Sequence, residues 1–456
     1  MDTLAAAHAV GGRALGAPVL FARVTTDSRT IAPGDLFVAL KGERFDGHDY
    51  VDAALRAGAV AALVDQARAG AIVGSVIAVS DPQAALGALA RHWRMRFDLP
   101  LAAVVGSNGK TTTKEMIASI FREAAGAEHA LATAGNFNNA IGLPLTLLGL
   151  REAHRLAVVE IGMNHRGETA ELAAIARPTI AVVTNAQREH QEFMRTVADV
   201  AREHADAIAA LPSSGVAVIN GDDEHADVWR DAARSAGAAV SDFALVRRGD
   251  VTGRYTPRAD GGDLELMTHK GNATVALAVP GRHMAANALA ATAAALAAGV
   301  ELTAIVRGLD AFRPVSGRLT VRTLADGVRL VDDTYNANPD SVRAAIDVLR
   351  AVPGTRRLAL GDMGEVGAQG PAFHREIGAY ARAAGVTHLY AVGEAMKVAA
   401  DAFGEGALHF ADADALAARL KADARHGDTV LVKGSRFMRM ERVVAALAGD
   451  AVAGAH

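Results

Sequence analysis

The sequence predicts an α/β protein of three domains, and three observations carry that expectation. At 456 residues the chain is too long for one ordinary domain, and about two to four is the prior for that length. Short β-branched runs alternate with helical stretches of crossover length, the pattern of parallel sheets covered by helices. The alternation resets after Asp98-Leu99-Pro100 and again near Phe312-Arg313-Pro314, which divides the chain into 1–97, 98–313 and 314–456.

Composition narrows the function classes. Lys and Arg number 47 against 51 Asp and Glu, a net charge of -4, so no global field favours nucleic acid or an anionic membrane. The absence of cysteine excludes disulfides and thiol chemistry and fits a reducing compartment. The N-terminus lacks a basic region followed by an apolar signal core. The Ala-rich run from Met284 to Val300 is the nearest thing to a membrane span, yet it contains Asn287 and Thr292 and reads as a packed helix. A cytoplasmic monomer without membrane insertion is the expectation.

In the first domain, strands are expected at Val19 to Thr25, Leu36 to Leu40, Ala61 to Val64 and Val76 to Val79, with helices at Tyr50 to Gly58 and Pro82 to Arg94. Two polar loops stand out, Thr26-Asp27-Ser28-Arg29 and Lys41-Gly42-Glu43-Arg44-Phe45-Asp46-Gly47-His48. Hydroxyls beside Arg and Lys suit a diphosphate or a sugar, while solvated turn chemistry accounts for the same residues without a ligand.

The central domain opens on Val104-Val105-Gly106-Ser107-Asn108-Gly109-Lys110-Thr111-Thr112-Thr113-Lys114-Glu115, an apolar run, a glycine turn and the start of a helix. Phosphate is the ligand such a stretch suits: backbone N–H groups converge on its oxygens, the helix adds positive dipole, Lys110 a point charge and Thr111 a Mg²⁺ ligand. Only Ser107 and Asn108 separate the glycines, where the usual Walker spacing has four residues. Leu156 to Ile161, Ile180 to Thr184 and Val216 to Ile219 read as buried parallel strands followed by polar loops. In an open parallel sheet those loops and the glycine turn share one crevice. Residues 250–280 lose the helical pattern and read as a small β-rich insertion.

Candidate chemistry follows from placement. Glu160 ends a strand, where a buried carboxylate is costly unless paired with a cation such as Mg²⁺. His190 follows the next strand, and a lone His has a structural reading beside the metal one. Arg318, just past the second boundary, can neutralise a transferring phosphoryl group if the third domain closes over the crevice. The third domain has strands expected at Leu330 to Asp333, Arg357 to Leu360, Leu389 to Val392 and Thr429 to Val432, a doubly wound pattern. Its polar stretches are Asp332 to Ser341, Gly361-Asp362-Met363-Gly364-Glu365 and Lys433-Gly434-Ser435-Arg436. The last offers two cations for a carboxylate.

Gly106 to Thr111, Glu160-Ile161-Gly162-Met163-Asn164, Asn185 with His190, Arg318 and Lys433 to Arg436 together resemble the Mur ligase superfamily over nearly the whole chain. Gly34 to Gly42, Gly135 to Pro144 and Asp333 to Pro339 look like the branch that adds D-alanyl-D-alanine to UDP-N-acetylmuramoyl-tripeptide. The resemblance implies a UDP-substrate-binding α/β domain, a central P-loop ATPase-like parallel sheet and a Rossmann-like C-terminal domain. It implies ATP-dependent amide ligation for peptidoglycan synthesis through an acyl phosphate, with ATP and two Mg²⁺ ions. Gly106, Ser107, Asn108, Gly109, Lys110, Thr111 and Thr112 then cradle phosphate, Asn287 and Asn336 lie near adenine, Asp333 near ribose and Arg318 at the phosphates. Thr111, Glu160 and His190 hold metal, and Lys110, Glu160, His190 and Arg318 carry the chemistry. Ser28, Arg29, Lys41, Asn138 and Asn139 fall to the UDP-muramoyl substrate, and Lys433, Ser435 and Arg436 to the incoming dipeptide.

One departure stands beside the resemblance. Superfamily members often carry a carbamylated lysine a short way after the His, and here that position is His204. Either His204 substitutes, or Glu203 or Glu192 supplies the missing negative charge, or the second metal binds more weakly. Another Mur-type or folylpolyglutamate synthase-like ligase shares the ATP site. The diamino-acid-adding branch would show Asp-Asn-Pro-Arg in the third domain, and that tetrapeptide is absent. A nucleotide-binding module without turnover is the reading from another class.

Overall fold

Three sheets, each drawn from one stretch of chain, organise the computed structural model, which describes residues 1–258 and 260–450. The first has the spatial order Arg13–Leu15, Val76–Val79, Ala61–Asp65, Asp35–Val38, Arg23–Thr25, parallel except for its first strand. The expected strand from Val19 is shorter than its hydrophobicity suggests. Val19 and Phe21 spend their backbone groups on the N-terminus instead, Thr3 N donating to Val19 O and Phe21 N to Met1 O, both at 3.0 Å.

The central sheet runs Gly271–Leu277, Gly261–Thr268, Val251–Arg258, Ala239–Ala244, Val216–Asn220, Ile180–Val183, Leu101–Val105, Leu156–Glu160, Ala130–Ala132. Residues 250–280 are therefore not a separate insertion. Phe243 pairs in parallel with Val251, and three antiparallel strands extend the same sheet. Leu264, Leu266, Val275 and Leu277 are among its buried residues and belong to the core that also takes in the Ala-rich helix. Ala130–Ala132 and Ala239–Ala244 were not expected as strands, because neither is a β-branched run and Ser241 and Asp242 interrupt the second.

Leu101–Val105 is buried throughout and lies between Leu156–Glu160 and Ile180–Val183 in parallel. The chain leaves it through the glycine turn, returns on one side, and later adds the next strand on the other. That reversal opens a crevice at the strands' C-terminal ends, where open α/β sheets bind ligands. The helix Lys110–Ala125 hides Met116, Ile117, Ile120 and Phe121 under the helices Arg282–Ala297 and Leu302–Ala311. Gly308 approaches Ile120 so closely that a Cβ would collide with the Ile120 backbone. The Ala-rich helix is buried from Met284 to Ala295 with few interruptions, its methyl groups letting neighbouring helices close in. Among the described residues no helix is long and apolar enough to cross a membrane.

The third sheet has the order Thr320–Thr323, Arg329–Asp333, Thr429–Lys433, Arg356–Gly361, His388–Val392, Ala407–Phe410, with only the first strand antiparallel. Its two outer strands are not expected, being short and only partly buried, with Thr and Arg interrupting the first and His409 the second. The loops after Asp333, Gly361 and Lys433 reach the central crevice, and the two surfaces enclose a cavity of about 1170 Å³.

Candidate active site

The glycine turn has the backbone that phosphate binding needs. Gly106 and Gly109 have φ of 133° and 86°, and Gly109 is the N-cap of Lys110–Ala125. A Cβ at Gly106 would strike Thr184, and one at Gly109 would strike the Asn287 carboxamide, so both positions admit only glycine. The first-turn N–H groups have no partner within the helix, and Lys110, Thr111 and Thr112 line the cavity. The segment after Ile180–Val183 buttresses the turn. Thr184 Oγ1 and Asn185 Nδ2 donate to Asn108 O at 2.7 and 2.9 Å, Asn185 Oδ1 accepts from Asn108 N, and Asn108 Nδ2 donates to Gln187 Oε1 at 2.6 Å. Thr184 and Gln187 are not among the expected site residues, since their role is to hold another loop, Thr184 by that loop's backbone and Gln187 by the Ser107 and Asn108 side chains.

Lys110 folds back over its own turn, donating to Gly106 O and to Ser107 O at 3.2 Å, with Glu189 Oε2 at 3.3 Å. Glu189 is buried, and its other oxygen lies 3.4 Å from His204 Nε2. Burial alone would raise the Glu189 carboxyl, but Lys110, His204 and His190 outweigh it and hold the group down at about 2. The charge that faces Lys110 and the two histidines is thus Glu189, one residue before the expected His190. Glu203 is not that charge: it accepts from Gly167 N and Thr169 N at the start of helix Glu168–Ala176. Nor is Glu192, which is exposed. His204 is almost fully buried rather than a surface helix residue.

Glu160 is 2 % exposed. Asn138 Nδ2 donates to its Oε1 at 2.8 Å, while its Oε2 is buried without a hydrogen-bond partner. A desolvated, half-partnered carboxylate oxygen lining a cavity with Thr111 suits a hard cation. Among the described residues no three His, Asp or Glu side chains converge into a metal cage. That suits Mg²⁺, which takes one or two protein oxygens and completes its shell with water and phosphate.

The cavity gathers Ser107 to Thr112, Asn138, Asn139, Glu160, His190, Asn287, Arg318, Asp333, Asn336, Lys433, Ser435 and Arg436. Asn139 is also a cap, accepting from Ile141 N and Gly142 N. From the third domain, Arg318 stacks 3.8 Å over Tyr335. Lys433 Nζ is held by Asp333 at 2.6 Å and by Asn336 O at 2.9 Å, and Ser435 Oγ accepts from Gly364 N at 2.7 Å. Arg436 is looser, 3.7 Å from Glu441. The first-domain candidates lie elsewhere. Ser28 and Arg29 line a second pocket of about 400 Å³ with Phe37, Phe45 and Tyr50, and exposed Lys41 lies beside it. Arg29 grips Asp27 through two bonds of 2.8 and 2.9 Å, and these hold the Asp27 carboxyl down at about 2.

Comparison with known proteins places this geometry. The model for the Mur ligase middle domain matches residues 104–295, that for the Mur ligase glutamate ligase domain 317–436, and that for the Mur ligase family catalytic domain 21–94. A UDP-N-acetylmuramoyl-tripeptide--D-alanyl-D-alanine ligase of Escherichia coli (strain K12) is 41% identical, covering 96% of both chains. The ligase of that name in Bacillus subtilis (strain 168) is 33% identical, covering 92% of each. Among solved structures, MurF from Acinetobacter baumannii superposes with a TM-score of 0.90 at 32% identity, covering 98% of each chain. MurF ligase from Thermotoga maritima, in complex with ADP, gives 0.82 at 28%, covering 94% of this chain and 97% of that one. Matched over almost its whole length, and carrying a short-spaced glycine turn at the switch point of its central sheet, the chain belongs to the Mur ligase family.

Proposed function

We propose that the protein is an ATP-dependent ligase that joins D-alanyl-D-alanine to UDP-N-acetylmuramoyl-tripeptide, a step of peptidoglycan precursor synthesis. The observation that carries this reading is the single cavity in which the glycine turn and Glu160 face Arg318, Asp333 and Arg436 of the third domain. A phosphate donor, a carboxylate acceptor and an amine have to meet in such a space.

A carboxylate has no adequate leaving group. Transfer of the γ-phosphoryl group from ATP to the tripeptide's terminal carboxylate makes an acyl phosphate and leaves ADP. The amine of the dipeptide then attacks the carbonyl carbon, and the tetrahedral intermediate collapses by expelling phosphate. Catalysis of this kind is chiefly positioning and charge neutralisation. Lys110 and the N–H groups of Gly109 to Thr112 hold the β- and γ-phosphates, and Arg318 meets the charge from the other side. Asn287, Asn336 and Asp333 hold the nucleoside. Thr111 and Glu160 fit one Mg²⁺, and His190 with Glu160 offers a second position. The metal, when bound, screens the phosphate oxygens from the incoming carboxylate.

Arg436 is the cation for the dipeptide carboxylate, while Lys433, engaged by Asp333, positions the nucleoside end. The first-domain pocket offers aromatic surface to a flat base beside Ser28 and Arg29, with Lys41 in reach of a diphosphate. Asn138 and Asn139, by the central cavity, take the muramoyl-peptide end. The test is phosphate release by purified protein given ATP, Mg²⁺ and UDP-muramoyl-tripeptide, with and without D-alanyl-D-alanine. Release that depends on both substrates supports the reading. Release indifferent to either one sinks it. Parallel assays with lysine and with diaminopimelate as third residue settle the tripeptide.

A further inference from the structure

His190 and Glu365 face each other across the boundary between the central and third domains, and both are non-glycine residues in the left-handed region, with φ of 47° and 58°. Such backbones persist only where the surroundings enforce them, and they gather at functional contacts. Here the enforcement is mutual. Glu365 Oε2 lies 2.6 Å from His190 Nδ1, Glu192 N donates to Glu365 O at 3.2 Å, and a Cβ on Gly367 would sit 3.2 Å from Gln191 O.

The ring's other nitrogen is on the opposite side. His190 Nε2 lies 3.8 Å from Glu189 Oε2, whose carboxylate in turn lies 3.3 Å from Lys110 Nζ. A continuous chain of charged and polar groups thus runs Glu365, His190, Glu189, Lys110, from the third domain to the phosphate loop. A carboxylate on one imidazole nitrogen fixes the tautomer and orientation of the ring and makes the other nitrogen a better ligand.

We propose that Glu365 is a positioning residue: closure of the third domain delivers its carboxylate to His190 Nδ1, aims Nε2 at the phosphate site, and so couples metal binding there to closure. This rests on the reading of His190 as a metal ligand. Glu365 has nothing to reach in the central domain unless the domains meet, so the site is complete only in the closed arrangement. The sequence hid this, since Glu365 sits in a loop that reads as part of a third-domain pocket.

The experiment measures Mn²⁺ affinity by electron paramagnetic resonance in the presence of ADP, and ADP affinity without metal by calorimetry. Wild type is compared with Glu365→Ala, Glu365→Gln and His190→Ala. Glu365 is half exposed, so its variants retain the fold. The expected result is Mn²⁺ binding weakened about tenfold or more in Glu365→Ala, less in Glu365→Gln, with metal-free ADP binding unchanged. Equal losses of metal-free ADP and Mn²⁺ binding would mean that Glu365 only shapes the loop, and would overturn the proposal. Weakening in His190→Ala alone would overturn it and leave the metal reading standing. No change in any variant would overturn both.

Discussion

Arg188 and Asp340 hold each other by side chain and main chain at once. Arg188 Nη2 lies 2.6 Å from Asp340 Oδ1, while the Arg188 amide donates to Oδ2 at 2.9 Å. Arg188 also reaches Glu376 at 2.7 Å. One side chain of the central domain is therefore clamped to two helices of the third, beside the His190 to Glu365 contact. Bonds to charged groups contribute about 1.5–3 kcal/mol, so Asp340→Asn should weaken closure by that order. Small-angle scattering should then show a larger radius of gyration, and turnover should fall about tenfold. Unchanged scattering and turnover would mean that the clamp does not hold the domains together.

Much of this was legible in the chain itself. Runs such as Leu101–Val105 and Ile180–Val183 announce buried parallel strands because both faces are covered, and the glycine spacing announces a turn. Contacts between distant segments were not legible. Asp340 reads as a turn residue, and only its partner 152 positions away makes it a clamp. Glu189 does not stand out beside His190, because nothing local reveals that a carboxylate will be buried against a lysine 79 residues earlier.

Lys110→Ala should reduce phosphate release by at least about a hundredfold while leaving secondary structure intact, since on the proposed mechanism it removes the charge that meets the transferring phosphate. It should also lower the melting temperature, because it leaves Glu189 buried with less compensation. Adding Glu189→Gln should restore the melting temperature but not the activity. Recovery of turnover in the double variant would mean that Lys110 serves mainly to balance Glu189.

Gly109→Ala tests the turn. The residue has φ of 86°, and its Cβ would meet the Asn287 side chain. Left-handed backbone costs about 1–2 kcal/mol, and the collision adds to it. Nucleotide binding, read by calorimetry with ADP, should be lost. Combining it with Asn287→Ala should regain some stability without regaining binding, because Asn287 is itself assigned to the nucleotide. Normal ADP affinity in Gly109→Ala would refute the tight-turn account.

His283 gives the pH dependence. It lies in the first turn of Arg282–Ala297 and lines the cavity near Lys433. Burial, with the Lys433 charge, pushes its imidazole down to about 4, against about 6.5 in an unfolded chain. Between those values the unfolded state binds a proton that the folded state refuses, so stability is intact above about 6.5 and falls as the pH drops toward 4. At pH 5 the loss should be on the order of 1–2 kcal/mol. His283→Gln cannot take up that proton, so its melting temperature should fall less between pH 7.5 and pH 5 than that of the wild type. Parallel decline of the two proteins would show that carboxylates elsewhere govern acid sensitivity and that His283 accepts its proton while folded.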